Sequence, residues 1–171
     1  FVDSAGKLDQ FELVIANPPF SLKDWGADTW ATDPHRRAVG GIPPKGNGDF
    51  AWVQHMVASM ASESGRVGVV MPHGPLFRGG AEGKIRQHLI ETDQLEAVIS
   101  LAPNLFYGAG IPACLLILRA TKAKDRAGQL LFVDGSKRFT PGRAQNSLDN
   151  SDVDDLYAAY QGNEELEDIG V

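Results

Sequence analysis

Asn17-Pro18-Pro19-Phe20 directly follow the apolar run Phe11-Glu12-Leu13-Val14-Ile15-Ala16, and their types in this order suit chemistry on a planar amino group. A residue before proline is pushed out of the helical region toward extended geometry, which applies to Asn17 and again to Pro18. The two prolines also remove two backbone donors, so a central β-ladder cannot continue through them. The reading is a buried strand that stops here, with the amide oxygen of Asn17 and the carbonyl of Pro18 as rigid acceptors beside the ring of Phe20. An amine conjugated with an aromatic ring is a poor nucleophile, because its lone pair is delocalised. Two fixed acceptors on its hydrogens let the nitrogen become tetrahedral and stabilise the positive charge that develops during attack, without a strong base. The same residue types also build ordinary turns, so the surrounding chain must decide.

Five segments are predicted as strands: Phe11–Ala16, Arg66–Met71, Leu95–Leu101, Ala113–Arg119 and Leu130–Asp134. The second, fourth and fifth hold nearly continuous apolar runs, as in strands buried on both faces. Between them, Phe50, Val53, Met56, Val57 and Met60 recur at helical spacing behind the possible caps Asn47 and Asp49, as do Ile85, Leu89 and Ile90 after Gly79-Gly80. This alternation gives an α/β fold, a mainly parallel sheet with helices on both faces. The loop Ala102–Pro112 is too short and irregular for a crossover helix, so the third and fourth strands are predicted to be antiparallel. Residues 21–48 form a long connection rich in Gly, Pro, Asp and Trp, a length that is usually functional or disordered. Its Trp25 and Trp30 could stack on bases, though packing the connection onto the body is the commoner use of such rings. The end of the chain predicts a short helix over Asp152–Gln161 with Val153, Leu156 and Tyr160 inward.

A chain of 171 residues with 43% hydrophobic content suits one globular domain. It shows no signal-peptide pattern and no apolar run long enough for a bilayer, which implies a soluble protein. The net charge of -6 is uneven: eight acids and no Lys or Arg lie between Asp149 and Val171, which leaves residues 1–148 slightly basic. Residues 1–148 are therefore read as the body and 149–171 as an acidic segment. That balance permits a nucleic-acid partner without indicating one. Lys122, Lys124 and Arg126, and then Lys137, Arg138 and Arg143, are basic clusters that solvated loops explain equally well. The single Cys114 excludes an internal disulfide and reads as a small buried residue. No metal-ligand spacing links His55, His73 and His88, which favours structural or surface roles, and no metal site is expected. Arg78, Lys84 and Arg86 are placed to meet a phosphate or simply to be solvated.

Taken in order, Asn17-Pro18-Pro19-Phe20, the segment Asp49–Met56, the segment Met71–Arg86 and the segment Leu105–Pro112 resemble the methylation subunit of type I restriction–modification systems across about residues 9 to 145. The resemblance implies a partial Rossmann-like methyltransferase sheet with a late antiparallel strand. It implies methyl transfer from S-adenosylmethionine to the exocyclic amino group of an adenine flipped out of double-stranded DNA, because a stacked base cannot reach the methyl donor. In that family the motif binds the amino group, so Asn17 and the Pro18 carbonyl would be the acceptors and Phe20 the stacking surface. Phe106 and Tyr107 fall where related enzymes place a second base-contacting aromatic, and Pro19 would line the cofactor side. The implied partners are a DNA-specificity subunit and a restriction subunit, in the prokaryotic cytoplasm.

The sequence departs from the family pattern in one respect. A cofactor of this kind is normally held by a glycine-rich turn after an early strand, and no such unit precedes Phe11. The chain therefore reads as the C-terminal portion of a catalytic domain, and residues 1–171 alone are expected neither to bind S-adenosylmethionine tightly nor to methylate DNA. Two alternatives stay open at this point: a methyltransferase for RNA or a protein amide, and a non-catalytic assembly or DNA-positioning module.

Overall fold

The alternation of apolar runs and helical periods folds into one mixed sheet. A computed structural model describes residues 2–106 and 110–162. Five strands, β1 (Leu13–Ala16), β2 (Arg66–Pro72), β3 (Leu95–Leu101), β4 (Ala113–Arg119) and β5 (Leu131–Gly135), lie in the order β1-β2-β4-β3-β5. β1 pairs parallel with β2 and β3 parallel with β5, whereas β4 is inserted antiparallel to both β2 and β3. The irregular loop after β3 thus reverses the chain, as its length requires.

Side-chain alternation sorts the two faces. From β4, Cys114, Leu116 and Leu118 join Val67, Val69 and Met71 of β2 in one core. The helices α2 (Asp49–Ala58) and α4 (Gly80–Glu91) cover it with Phe50, Val53, Met56, Ile85 and Leu89. Leu115 and Ile117 of the same strand point the other way, toward Ile99, Leu101 and Val133 and the helix α5 (Asn150–Gln161). Helices therefore lie on both faces. α5 starts ahead of the predicted Asp152 because Asp149 caps it: its carboxylate accepts from the Asp152 N–H at 2.9 Å, and Asp152 returns a bond to the Asp149 N–H at 3.0 Å.

Several expectations shift. β1, read as a buried strand, is covered on one face only: Val14 and Ala16 pack on the first core, but Leu13 and Ile15 are 59% and 73% exposed, since among the described residues nothing covers their face of the strand. Phe132 of β5 is exposed for the same reason, and Val153 of α5 faces outward while Leu156 turns in. The long connection also contains a single helical turn, α1 (Ala27–Trp30), and another turn, α3 (Gly74–Phe77), precedes α4. Among the described residues no helix is long and apolar enough to cross a membrane.

Candidate active site

β1 ends at Ala16, and Asn17-Pro18-Pro19-Phe20 leave the sheet at its carboxyl edge, where open α/β sheets bind their ligands. Asn17 and Pro19 are exposed, Pro18 is buried and Phe20 is half-buried. Among the described residues neither the Asn17 side chain nor the Pro18 carbonyl is engaged by a protein donor, so neither acceptor is committed to an internal bond. Phe106, from the loop after β3, meets Phe20 edge-to-face, with ring centroids 6.5 Å apart and planes at 74°, a geometry that aromatic pairs favour. The structure thus brings Asn17, Pro18, Phe20 and Phe106 into one place. Phe106 also packs against the second core, which anchors its loop. The predicted Tyr107 lies outside the described residues.

A further residue controls the exit from this motif. Ser21, which follows Phe20, has φ 51, a left-handed conformation that costs a non-glycine residue roughly 1–2 kcal/mol. Its N–H donates to the Asp49 carboxylate at 2.7 Å. Asp49 is 1% exposed and its other oxygen accepts from Arg78 at 3.0 Å. Arg78 in turn donates to both oxygens of Glu82, at 2.6 and 2.9 Å, and this pairing, with Asp49 second, raises its pKa above the usual value. Gly74 makes room for this: a Cβ there would overlap the Arg78 guanidinium. Arg78 therefore serves the protein interior instead of a phosphate. Arg86 does likewise, donating at 2.7 Å each to the carbonyls of Pro75 and Arg78. Asp49 is no helix cap, since Gly48 takes the N-cap position and Asn47 accepts from the Asp49 N–H.

His73 lies 3.1 Å from the Ala113 carbonyl and ties the end of β2 to the start of β4. His55 sits 3.3 Å from Arg37. Among the described residues no group of His, Cys, Asp or Glu is arranged to hold a metal ion. The basic clusters are largely committed to internal contacts: Lys122 is buried against Asp93 and the Gln129 carbonyl, Arg126 donates to the Tyr160 carbonyl, and Arg138 pairs with Asp155.

Pro19, the residue expected to line the side of an adenosyl cofactor, is exposed in the turn that follows the edge strand β1. The turns that follow the described parallel strands, Asn17-Pro18-Pro19, His73-Gly74-Pro75, Ala102-Pro103-Asn104 and Ser136-Lys137-Arg138, are not the glycine-rich strand-to-helix turn that cradles such a group.

Comparison with known proteins gives this geometry a context. A family model described as N-6 DNA Methylase matches residues 2–170. The methylase subunit of the type I restriction enzyme MjaVII of Methanocaldococcus jannaschii is 35% identical over 167 residues, covering 92% of this chain and 28% of its own length. That of HindI from Haemophilus influenzae is 36% identical over 126 residues, covering 73% and 27%. The type I restriction–modification methyltransferase subunit of Streptococcus thermophilus superposes with a TM-score of 0.84 at 34% identity, over 94% of this chain and 33% of that one. A putative class I S-adenosylmethionine-dependent methyltransferase from Listeria monocytogenes, 16% identical with a TM-score of 0.56, shares the fold. The chain spans about 28% of the length of the first of these relatives.

Proposed function

Because this chain belongs to the N-6 DNA methylase family, we propose that it carries the target-base side of methyl transfer to the exocyclic amino group of adenine in DNA. The observation that carries the reading is the emergence of Asn17-Pro18-Pro19-Phe20 at the carboxyl edge of the sheet, with the ring of Phe106 set against Phe20. An adenine turned out of the duplex would lay its face on Phe20 and direct its two amino hydrogens to Asn17 Oδ1 and the Pro18 carbonyl. Both acceptors are neutral dipoles, the Pro18 carbonyl fixed by the proline backbone, so they stabilise the positive charge growing on nitrogen without removing a proton beforehand. Phe106 backs Phe20 and fixes the stacking surface. Extrusion costs a few kcal/mol of lost stacking and pairing, which base stacking on an aromatic ring, about 1–3 kcal/mol, partly offsets.

S-adenosylmethionine would supply the methyl group, and Pro19 is the residue placed to line its side of the pocket. The assembled enzyme is inferred to work with a DNA-specificity subunit and, for cleavage, a restriction subunit. Offering the assembled enzyme duplex DNA, RNA and a peptide amide, and identifying the methylated product by mass spectrometry, tests the substrate class. N6-methyladenine formed in duplex DNA is the expected product. Methylation confined to RNA or to the peptide would overturn the reading, and so would no methylation by a folded, assembled enzyme.

A further inference from the structure

The chain has three tryptophans, and all of them, Trp25, Trp30 and Trp52, line one cavity of about 410 Å³, a volume within the range of small-molecule sites, about 300–1,000 Å³. Leu22 lines it as well and lies two residues after Phe20, a span of no more than about 7 Å of chain. The cavity therefore adjoins the proposed adenine site without being part of it.

Its walls have a consistent chemistry. Trp25 and Trp30 stand edge-to-face with centroids 5.3 Å apart, and Trp25 is fixed by its indole N–H donating to the Pro44 carbonyl at 2.9 Å. Arg37 lies 4.3 Å from the centre of the Trp30 ring. Its charge is already matched by Asp33, whose two oxygens each accept from it at 2.8 Å. The remaining guanidinium nitrogen faces His55 Nδ1 at 3.3 Å. A guanidinium only donates, so His55 accepts at Nδ1 and is neutral, with its hydrogen on Nε2. The indole N–H groups of Trp30 and Trp52 are buried in the walls and, among the described residues, meet no acceptor. The lining is thus rich in indole surface and without net charge. A phosphate would find no uncompensated cation there, and an aliphatic group would forgo the stacking that aromatic faces offer. A heteroaromatic ring suits both features.

We propose that this cavity binds a second nucleobase of the DNA, unstacked next to the flipped adenine; the identity of the polymer rests on the reading of the chain as a DNA adenine methylase. Since every tryptophan faces the cavity, intrinsic tryptophan fluorescence of the 171-residue chain reports on it directly. The chain, shown to be folded by circular dichroism, is titrated with a short single-stranded oligodeoxynucleotide and with an abasic oligonucleotide of equal length and charge. The base-bearing strand should quench saturably and bind about tenfold more tightly than the abasic strand, and Trp52→Leu, at a half-buried position, should remove about that factor. Asn17→Ala, in the adenine site, should keep the saturable quenching and the preference for the base-bearing strand, whatever affinity it costs. Equal quenching by the two strands, no quenching by either, or a base preference lost in Asn17→Ala but kept in Trp52→Leu would each overturn the proposal. If Asn17→Ala leaves methylation by the assembled enzyme intact while base-dependent quenching persists, the adenine site is misassigned and this second site stands.

Discussion

At the scale of single residues, the roles proposed for Asn17 and Phe20 rest on a backbone path that Asp49 holds at Ser21. The left-handed Ser21 costs roughly 1–2 kcal/mol, and a hydrogen bond to a charged group contributes about 1.5–3 kcal/mol, so the bond from Ser21 to Asp49 is strong enough to decide the backbone path after Phe20. Asp49→Ala removes this bond and also the Arg78 contact. It should lower kcat for DNA methylation by about a hundredfold, the cost of a displacement near 1 Å in a positioned site. Asp49→Asn keeps an acceptor for Ser21 and should recover most of that loss. Gly74→Ala, which displaces the Arg78 guanidinium, should impair kcat in the same direction. Steady-state methylation together with thermal unfolding checks this: variants with a lowered melting temperature but unchanged kcat would show Asp49 to be structural alone. The motif residues were legible because two consecutive prolines after an apolar run dictate both where the strand stops and which acceptors remain. Asp49 was not, because an acid in the first turn of a helix is ordinary and its partners, Ser21 and Arg78, come from distant segments.

At the scale of elements, the strands and long helices were readable to within about two residues, since apolar periodicity records which faces meet the core. The antiparallel placement of β4 followed from loop length. The long connection resisted reading because its order comes from non-periodic contacts: Asp33 with Arg37, Arg37 with His55, and Trp25 packed over Gly48, where a Cβ would meet the indole Cγ at 2.8 Å. These contacts make stability depend on pH in a defined direction. Burial first, and then the Arg37 charge, hold the His55 pKa below 6.5. Above pH 6.5 the folded and unfolded forms are both neutral at this residue. Below it the unfolded chain takes up the proton first, so the contribution of His55 to stability is lost as the pH falls through its folded value. Asp33, held far below 3.8 chiefly by its Arg37 hydrogen bond, adds a second loss beneath that pH. The expected outcome is a melting temperature that is flat through neutrality and declines below about pH 6.5, with the upper phase of the decline missing in His55→Gln. A decline unchanged by that substitution would contradict the assignment.

At the scale of the whole molecule, two cores on opposite faces of a five-stranded sheet support the motif, the ring of Phe106 that meets Phe20, and the tryptophan cavity that begins at Leu22. Cys114 sits at the centre of this framework. It is fully buried, its Sγ is 3.6 Å from the Met71 carbonyl, and burial pushes its pKa up to about 12, so the native protein should resist thiol reagents at neutral pH and react once unfolded. Rapid labelling in the native state would show that the sheet opens. Because the described residues lack a glycine-rich cradle, isothermal calorimetry on the 171-residue chain should find no tight, stoichiometric binding of S-adenosylmethionine, and finding it would place a cofactor site on this chain. The proposed activity is one of an assembled enzyme, and Asn17→Ala in that enzyme tests the central claim most directly. Loss of at least a hundredfold in methylation, consistent with the about 10²–10³ attributed to one preorganised transition-state donor or acceptor, with assembly and DNA binding intact, is the predicted result. Methylation at the unsubstituted rate would contradict the account.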